Sequence, residues 1–213
     1  MNICLSIILI SVVSYLLGSI SSAVILSKLI FKKDIRSEGS GNAGATNMLR
    51  THGIKMGVFT LVFDLLKGVI AVLLGKLLLG YTQNGYLLLA LPLLGGLFAV
   101  LGHNFPLYFG FRGGKGVATS LGVVLAINWK VALLVAIIAL LIMATTKFVS
   151  LGSITAAVLF FIFDLSYMLT SHTFYLPELI FAGIISALLI IRHKENIKRL
   201  LAGTENKLGQ KKA

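Results

Sequence analysis

The sequence predicts an all-α polytopic membrane protein with about seven transmembrane helices, and three observations lead to that fold class. Hydrophobic residues make up 57% of the 213 residues, and charged residues only 12%. The mean hydropathy is +0.97, and a soluble domain of this length rarely has such a composition. Apolar runs near the length that crosses about 30 Å of hydrocarbon recur from one end of the chain to the other.

The limits of each helix follow from the polar breaks, which contain Gly, Pro or charged residues. The first run has no charged segment before it, which favours a retained helix over a cleaved signal peptide. In chain order the breaks read KKDIRSEGSGN, GYTQNG, GHNFPLYFGFRGGKG, INWK, TTKFVSLGS and TSHTFYLPE. The predicted helices are residues 4–27, 54–75, 86–102, 114–127, 130–146, 151–169 and 177–192.

Two of these helices, the third and the fourth, are short for a full crossing, and the glycines from Gly113 to Gly116 would allow the chain to bend into the membrane. No internal repeat, low-complexity tract or soluble domain is visible. Residues 1–213 are therefore expected to form a single integral membrane domain.

The basic residues predict the side of the membrane that each loop faces. The chain has 19 Lys and Arg against 7 Asp and Glu. With seven crossings, 16 of the basic residues fall on one side, Lys76 and Lys130 fall on the other, and Lys67 lies within a helix. The positive-inside rule then places the N-terminus outside and the C-terminus in the cytoplasm of a multi-pass protein of the cell (inner or plasma) membrane. Since the charge excess reports orientation, no nucleic-acid partner is expected.

Cysteine usage limits the chemistry. The single cysteine, Cys4, excludes an intramolecular disulfide. No Cys/His cluster has metal-ligand spacing, which argues against a structural zinc site. The sequence shows no other sign of a metal or cofactor, and none is expected.

A glycine-rich stretch, EGSGNAGATNMLR, matches the G-x-G-x-x-G pattern of a dinucleotide-binding turn. A membrane helix and a charged linker precede it instead of the strand that this fold requires, so the nucleotide interpretation is rejected. The segment RGGKGVA fails as a P-loop, because Phe109 and Gly116 occupy positions that need Gly and Ser/Thr. Glycines followed by a helix can instead form an anion-binding nest, and the guanidinium of Arg50 suits phosphate oxygens.

Further polar groups fall on the same predicted side. Lys115 stands among glycines directly before a helix, where an anion would offset its unfavourable position. His193 and Asn196 are spaced i, i+3 on one helical face, and Ser153 lies near the start of another helix. Other interpretations stay open: glycines in membrane helices permit close packing, basic residues anchor membrane edges, and His193 could be a surface histidine.

Five other polar residues are given no part in the predicted site. Asp64 and Lys67, at i, i+3 within a helix, are expected to form an ion pair, since an unpaired charge there is expensive. Asp164 has no visible partner in the sequence. His52 and His172 are expected to be surface histidines at the membrane interface.

Three motifs in this order, GSGNAGATNMLR, GHNFPLYFGFRGGKGVAT and RHKENIKRLLAGTE, resemble those of the bacterial acyl-phosphate:glycerol-3-phosphate acyltransferases. The resemblance spans nearly the whole chain. It implies transfer of a fatty acyl group from acyl phosphate to the 1-hydroxyl of glycerol 3-phosphate, giving lysophosphatidic acid and phosphate. It also implies that acyl-CoA, acyl carrier protein and metal are not used, and that the partners are the two substrates and membrane lipid.

The resemblance also implies residue roles. Ser40, Arg50 and Lys115 match positions that hold the glycerol phosphate, and the turn that follows Ser40 would receive the donor's phosphate. His193 and Asn196 match paired catalytic positions, and Ser153 matches a serine near the acyl-phosphate carbonyl. The residues expected to bind substrate are Ser40, Gly41, Asn42, Gly44, Thr46, Asn47, Arg50, Gly114, Lys115 and Gly116, and those expected to serve catalysis are Lys115, Ser153, His193 and Asn196.

The residues favour direct acyl transfer, because no Ser-His-Asp arrangement and no positioned cysteine indicates a covalent intermediate. The proton acceptor is left open between His193 and a substrate phosphate. A transporter of a phosphorylated metabolite is the alternative, although an internal repeat would be expected for it. A scaffold for anionic lipids would explain the charge but not the ordered Asn, Ser and Gly.

Overall fold

The computed structural model describes residues 2–80 and 90–209, and within these ranges the chain is helical, with no β-strand. The predicted all-α class is therefore confirmed. Short 3-10 turns form at Ile35–Ser37 and Leu107–Phe109. In chain order the α-helices of the described residues are α1 (Ile3–Ser19), α2 (Ser22–Phe31), α3 (Ala45–His52), α4 (Ile54–Gly80), α5 (Leu91–Asn104), α6 (Val117–Ile127), α7 (Trp129–Thr146), α8 (Val149–Thr170), α9 (Leu176–Arg192) and α10 (Lys194–Leu201).

The contacts divide the chain into two compact units, one ending at Ile127 and one beginning at Asn128. In the first unit α1 packs along α5, and α4 packs against α5 and α6. In the second unit α8 packs against both α7 and α9. A single membrane domain over the whole chain stays a prediction.

The described residues contain five helices that are long and apolar enough to cross a membrane, or six if the bent pair α9–α10 forms one span. One of the five is the segment Ile3–Phe31, which joins α1 and α2. Helix α6 has 11 residues, which give about 17 Å of helix, roughly half of the hydrocarbon thickness. Multi-pass membrane character is thus supported, whereas the count of seven crossings and the orientation of the termini stay predictions. The helix predicted over 86–102 begins at residue 91, and residues 86–89 lie outside the described ranges.

Helix α4 shows how side chains are distributed in the spans. Phe59, Phe63 and Leu66 are exposed on its outer face, whereas Thr60 and Asp64 are buried against the neighbouring helices. A soluble protein would have the opposite arrangement, with apolar groups inside and polar groups outside. The exposed apolar face therefore suits contact with lipid.

Glycines let the helices of the first unit approach closely. A Cβ at Gly18 of α1 would overlap the Ala99 carbonyl of α5, and a Cβ at Gly68 of α4 would overlap the Thr119 carbonyl of α6. Small residues at membrane helix interfaces allow such backbone contact. This packing holds the ends of α5 and α6, which carry the second motif, close to α4.

The predicted ion pair of α4 is confirmed. Lys67 Nζ lies 2.9 Å from Asp64 Oδ1, and both side chains are buried. The pair stands at the break between α1 and α2, where Lys67 donates to the Ile20 carbonyl at 3.0 Å and Ser22 Oγ donates to Asp64 at 3.0 Å. The charged pair thus satisfies a carbonyl that the break leaves without a helical partner.

Asp164 of α8 has a neighbour that its sequence position does not indicate. Asn128 caps α7 by accepting a hydrogen bond from the Val131 N–H through Oδ1. Its Nδ2 donates towards Asp164 Oδ1 at 3.5 Å, and Asp164 is 1% exposed. The carboxylate is therefore buried beside the first turn of α7.

Candidate active site

The glycine-rich turn, residues 38–44, is held together by the side chain of Asn47 in α3. Asn47 is 2% exposed, and its Oδ1 accepts a hydrogen bond from the Ser40 N–H at 2.9 Å. Its Nδ2 donates to the carbonyls of Ile35 and Glu38 at 3.1 and 3.0 Å. Gly39 has φ +58°, and a Cβ there would overlap Asn47 Oδ1, so only glycine fits. Asn47 therefore positions the turn, and its predicted contact with substrate stays a prediction.

Three backbone N–H groups of the turn donate to acceptors in the turn or in α3. The Gly41 N–H donates to the Glu38 carbonyl at 2.9 Å, and the Gly44 N–H donates to the Asn42 carbonyl at 3.1 Å. The Ser40 N–H is the third, bonded to Asn47. These three donors are therefore engaged within the chain, and anion binding by the remaining backbone N–H groups of the turn stays a prediction.

The polar side chains at the turn differ in their exposure. Ser40 is exposed, and Thr46 and Arg50 are half-buried. Thr46 and Arg50 are one turn apart on α3, the helix expected there from the sequence, so they share a face. The hydroxyls and the guanidinium together can bind phosphate oxygens.

His52, at the end of α3, supports the turn from behind. Its ring stacks on Phe31 with centroids 3.9 Å apart, and its Nε2 lies 3.1 Å from Glu38 Oε2. The His52 side chain is only 8% exposed, so the expectation of a surface histidine is wrong for this residue. The error arose because the sequence does not show Glu38 and Phe31 converging on it. His172 is exposed, as expected.

The second motif forms a loop, residues 105–116, which we call the lysine loop. The loop is closed at its base, where the Gly113 N–H donates to the Asn104 carbonyl at 3.3 Å and the Gly114 N–H donates to the His103 carbonyl at 3.2 Å. Gly116 has φ +89°, and its carbonyl accepts from the Ser120 N–H at 2.7 Å, which starts α6. Lys115 is half-buried directly before that helix.

The lysine loop and the glycine-rich turn meet at Gly114. A Cβ on Gly114 would lie 2.9 Å from the Ala43 carbonyl and would overlap His103 Nε2. Only glycine therefore lets the two segments approach this closely. The first and second motifs, far apart in sequence, are neighbours in the first unit.

A further link to the lysine loop runs through Arg36, which lies shortly before the glycine-rich turn. Its Nη1 donates to the Phe109 carbonyl at 2.6 Å and to the Arg112 carbonyl at 3.3 Å. Its Nε and Nη2 bind Asp34 at 2.9 and 2.8 Å. The hydrogen bond from Arg36 holds the pKa of the Asp34 carboxyl well below its usual range. Sequence analysis missed this pair, whose only local signal is the i, i+2 spacing of opposite charges.

The buried ion pair of α4 also reaches the lysine loop. His103 is 5% exposed, and its Nδ1 lies 3.6 Å from Asp64 Oδ1. The other edge of the ring, at Nε2, lies against Gly114. Asp64 and Lys67 thus lie behind the histidine that packs under the loop.

In the second unit, His193 occupies the bend of 57° between α9 and α10. The residue is 2% exposed, and its Nδ1 lies 2.7 Å from the Leu189 carbonyl. A carbonyl only accepts, so Nδ1 carries the hydrogen and Nε2 carries the lone pair of the neutral ring. This tautomer gives His193 a basic nitrogen.

Asn196 is bound to a carboxylate that sequence analysis did not single out. Glu205 accepts hydrogen bonds from Asn196 Nδ2 at 2.7 Å and Ser150 Oγ at 2.9 Å through Oε1. Its Oε2 accepts from Arg199 Nε at 2.8 Å. Burial alone would raise the pKa of Glu205, but these hydrogen bonds outweigh it and the pKa is lowered. The sequence could have indicated a role for Glu205, because it lies in the third motif and is one of only 7 acidic residues.

Ser153 lies one turn along α8 from Ser150. Its Oγ donates to the Val149 carbonyl at 2.9 Å, and the residue is 3% exposed. The hydroxyl oxygen retains its capacity to accept a further hydrogen bond.

Comparison with known proteins identifies the family. Residues 8–203 match the family model described as glycerol-3-phosphate acyltransferase. The chain belongs to the glycerol-3-phosphate acyltransferase family. A protein of that name from Thermoanaerobacter pseudethanolicus is 46% identical over 204 residues, which are 96% of each chain. Another from Shouchella clausii is 51% identical over 200 residues, 93% of this chain and 94% of that protein.

Two solved structures resemble this family member. A crystal structure of PlsY (YgiH), an integral membrane glycerol 3-phosphate acyltransferase, in its glycerol 3-phosphate form is 42% identical with a TM-score of 0.84 and covers 96% of each chain. The lysophosphatidic acid form of PlsY is 41% identical with a TM-score of 0.81. The family assignment confirms the resemblance that the three motifs carry.

Proposed function

We propose that this chain transfers a fatty acyl group from acyl phosphate to the 1-hydroxyl of glycerol 3-phosphate, releasing lysophosphatidic acid and phosphate at the membrane. Family membership supports acyl transfer to glycerol 3-phosphate, as do the bound molecules named for PlsY. The observation that carries the proposal within this structure is the contact of Gly114 with Ala43. It brings together two cationic segments for a reaction whose two substrates both carry phosphate.

Binding of the acceptor is assigned to Ser40, Arg50 and Lys115. The Ser40 hydroxyl is exposed beside the turn, and the Arg50 fork can hold two phosphate oxygens at once. Lys115 adds a point charge at the start of α6, where the helix dipole also favours an anion. Gly114 and Gly116 admit the ligand close to the backbone because they carry no side chain.

Binding of the donor phosphate is assigned to the glycine-rich turn. Gly41 and Gly44 keep its surface free of side chains, and Asn42 and Thr46 supply polar groups. Ser153 is assigned to the acyl carbonyl. Membrane lipid would surround the acyl chain, since the spans expose apolar side chains.

The chemical step is a direct displacement. The 1-hydroxyl oxygen of glycerol 3-phosphate attacks the acyl carbon, and the bond from that carbon to the phosphate oxygen breaks. The hydroxyl proton goes to His193 Nε2 or to the leaving phosphate, and the lone pair on Nε2 suits the first route. Asn196 orients the substrate on the same helical face as His193, and cationic groups stabilise the negative charge of the transition state.

A reconstituted assay tests the function. The purified protein in lipid vesicles is incubated with glycerol 3-phosphate and either palmitoyl phosphate or palmitoyl-CoA. Lysophosphatidic acid and inorganic phosphate are expected with palmitoyl phosphate alone. Product from palmitoyl-CoA would overturn the donor assignment, and uptake of glycerol 3-phosphate without acylation would favour a transporter.

We also propose that the site faces the cytoplasm, because basic residues concentrate near all three motifs. In a Cys4→Ala background, single substitutions Ser37→Cys, Arg112→Cys and Glu195→Cys should react with an impermeant thiol reagent only from the cytoplasmic side. Lys130→Cys should react only from the outside. Labelling of the first three from different sides would contradict a common site.

A further inference from the structure

Asn104, the last residue of α5, is buried with its side chain unsatisfied. The residue is 0% exposed, and neither Oδ1 nor Nδ2 has a hydrogen-bond partner among the residues that the structure describes. Its backbone carbonyl accepts a hydrogen bond from the Gly113 N–H, which closes the lysine loop. An unpaired buried amide is costly, so it is normally satisfied by a ligand or by water.

The amide points at the start of α6. A Cβ on Gly116 would lie 2.9 Å from Asn104 Oδ1 and 3.4 Å from Nδ2, so the amide lies against the residue that opens the helix. The first N–H groups of a helix have no partner within it and attract anions. Asn104 therefore adds a donor and an acceptor beside a place that already favours phosphate.

Two hydroxyls on the first turn of α6 are also buried without partners. Thr119 is 0% exposed and Ser120 is 4% exposed, and neither hydroxyl has a hydrogen-bond partner within the described ranges. Several unsatisfied polar groups at one helix start indicate a place built for a polar molecule.

We propose that Asn104 is a specificity-determining residue for glycerol 3-phosphate, with Nδ2 donating to a phosphate oxygen and Oδ1 accepting from the 2-hydroxyl. The inference rests on the proposed function. An amide donates and accepts at once, which matches a molecule that carries phosphate oxygens next to a hydroxyl. The 2-hydroxyl is the one to be held, because the 1-hydroxyl must be free to attack. Asn104 thus distinguishes the acceptor from phosphates that lack a neighbouring hydroxyl.

The experiment pairs Asn104 variants with a modified substrate. Asn104→Leu has a similar volume without polar atoms, and the substrate is glycerol 3-phosphate or its analogue that lacks the 2-hydroxyl. We expect Asn104→Leu to raise the KM for glycerol 3-phosphate at least tenfold and to leave the KM for acyl phosphate within twofold. The wild type should discriminate against the analogue at least tenfold in kcat/KM, and the variant should not. Asn104→Asp should bind glycerol 3-phosphate more weakly than Asn104→Leu, because it brings a negative charge to the phosphate.

Ser14→Ala is the matched control. The Ser14 hydroxyl is 0% exposed and unpartnered among the described residues, but it lies in α1 rather than at the lysine loop. Both KM values should be unchanged in this variant. If Asn104→Leu does not fold, the same comparison is made with Asn104→Ala, together with the shift in unfolding midpoint that glycerol 3-phosphate produces.

The outcomes separate this inference from the proposed function. An Asn104 variant that keeps both KM values and full discrimination against the analogue would show that the amide holds only water, and would overturn the inference. A wild type that does not acylate glycerol 3-phosphate would overturn the proposed function itself, before any variant is compared. A shared rise in both KM values would indicate a purely structural residue and would also count against the inference.

Discussion

The predicted site residues of the two units differ in how they are held. In the unit that ends at Ile127, Ser40, Thr46 and Arg50 are exposed or half-buried around a turn whose backbone bonds to itself. In the unit that begins at Asn128, His193 and Asn196 are buried and bonded to Leu189 and Glu205. The first group is less deeply buried than the second, whose side chains are bonded to residues of their own unit. Changes to the first group should therefore act on substrate binding, and changes to the second on the chemical step or on stability.

The largest effect is expected for His193→Ala. Loss of a general base should lower kcat by about 10²–10⁴-fold, with a smaller change in the KM for glycerol 3-phosphate. Steady-state kinetics of the reconstituted variant measures both. The exposed His172 provides the control, since His172→Ala should change neither value.

Combination with Asn196→Ala sharpens this test. Residues that act on one substrate as a unit give strongly non-additive losses in kcat/KM. If a His193→Ala protein is folded, inserted and fully active, the residues at the α9–α10 bend take no part in the chemical step.

Arg50→Lys should have the next largest effect, and on binding. The ammonium keeps the charge but loses the bidentate geometry. The loss corresponds to one charge-assisted hydrogen bond of about 1.5–3 kcal/mol. The expected result is a rise of roughly ten- to a hundred-fold in the KM for glycerol 3-phosphate, with kcat little changed. Unchanged kinetics would indicate that Arg50 is only a membrane anchor. A loss confined to kcat would contradict the expectation that residues of the first unit act on substrate binding.

Asn47→Asp tests whether the turn is preassembled. The substitution keeps the acceptor for the Ser40 N–H but places an oxygen where Nδ2 now donates to two carbonyls. Loss of these buried hydrogen bonds should destabilise the protein by about 1–3 kcal/mol, measured as a lower unfolding midpoint. Thr51→Val is the control on the same helix, because its hydroxyl only donates to the Asn47 carbonyl. Equal midpoints for the two variants would show that Asn47 does not organise the turn.

Glu205→Gln should give the smallest effect, visible as a change in pH dependence. The pKa of Glu205 is lowered in the folded protein, so its carboxylate stabilises the fold above the ordinary value of 4.5. That stabilisation is lost as the pH falls from about 4.5 through the lower folded-state pKa. Unfolding midpoints between neutral and acidic pH should fall less steeply in Glu205→Gln than in the wild type. Parallel curves would contradict a charge-dependent role for Glu205.

Several features of the site were predictable because they depend on local sequence. Spacing along one helix or turn predicts three of them: the helix that carries Thr46 and Arg50, the ion pair of Asp64 and Lys67, and the helix that starts after Lys115. What the spacing could not show was that Asn47 turns inward to bond Ser40. An amide can bond either to its own backbone or to a ligand, and the sequence does not decide between them.

Apolar runs and their breaks were sufficient to determine an all-helical membrane protein, because lipid imposes the length and composition of a span on the chain itself. The tertiary structure alone decided that Gly114 meets Ala43, that Asn104 is buried at the start of α6, and that Glu205 binds Asn196. Each of these contacts depends on how helices cross. The periodicity of apolar residues predicts which face of a helix is buried. It does not predict which residue of another helix lies opposite that face.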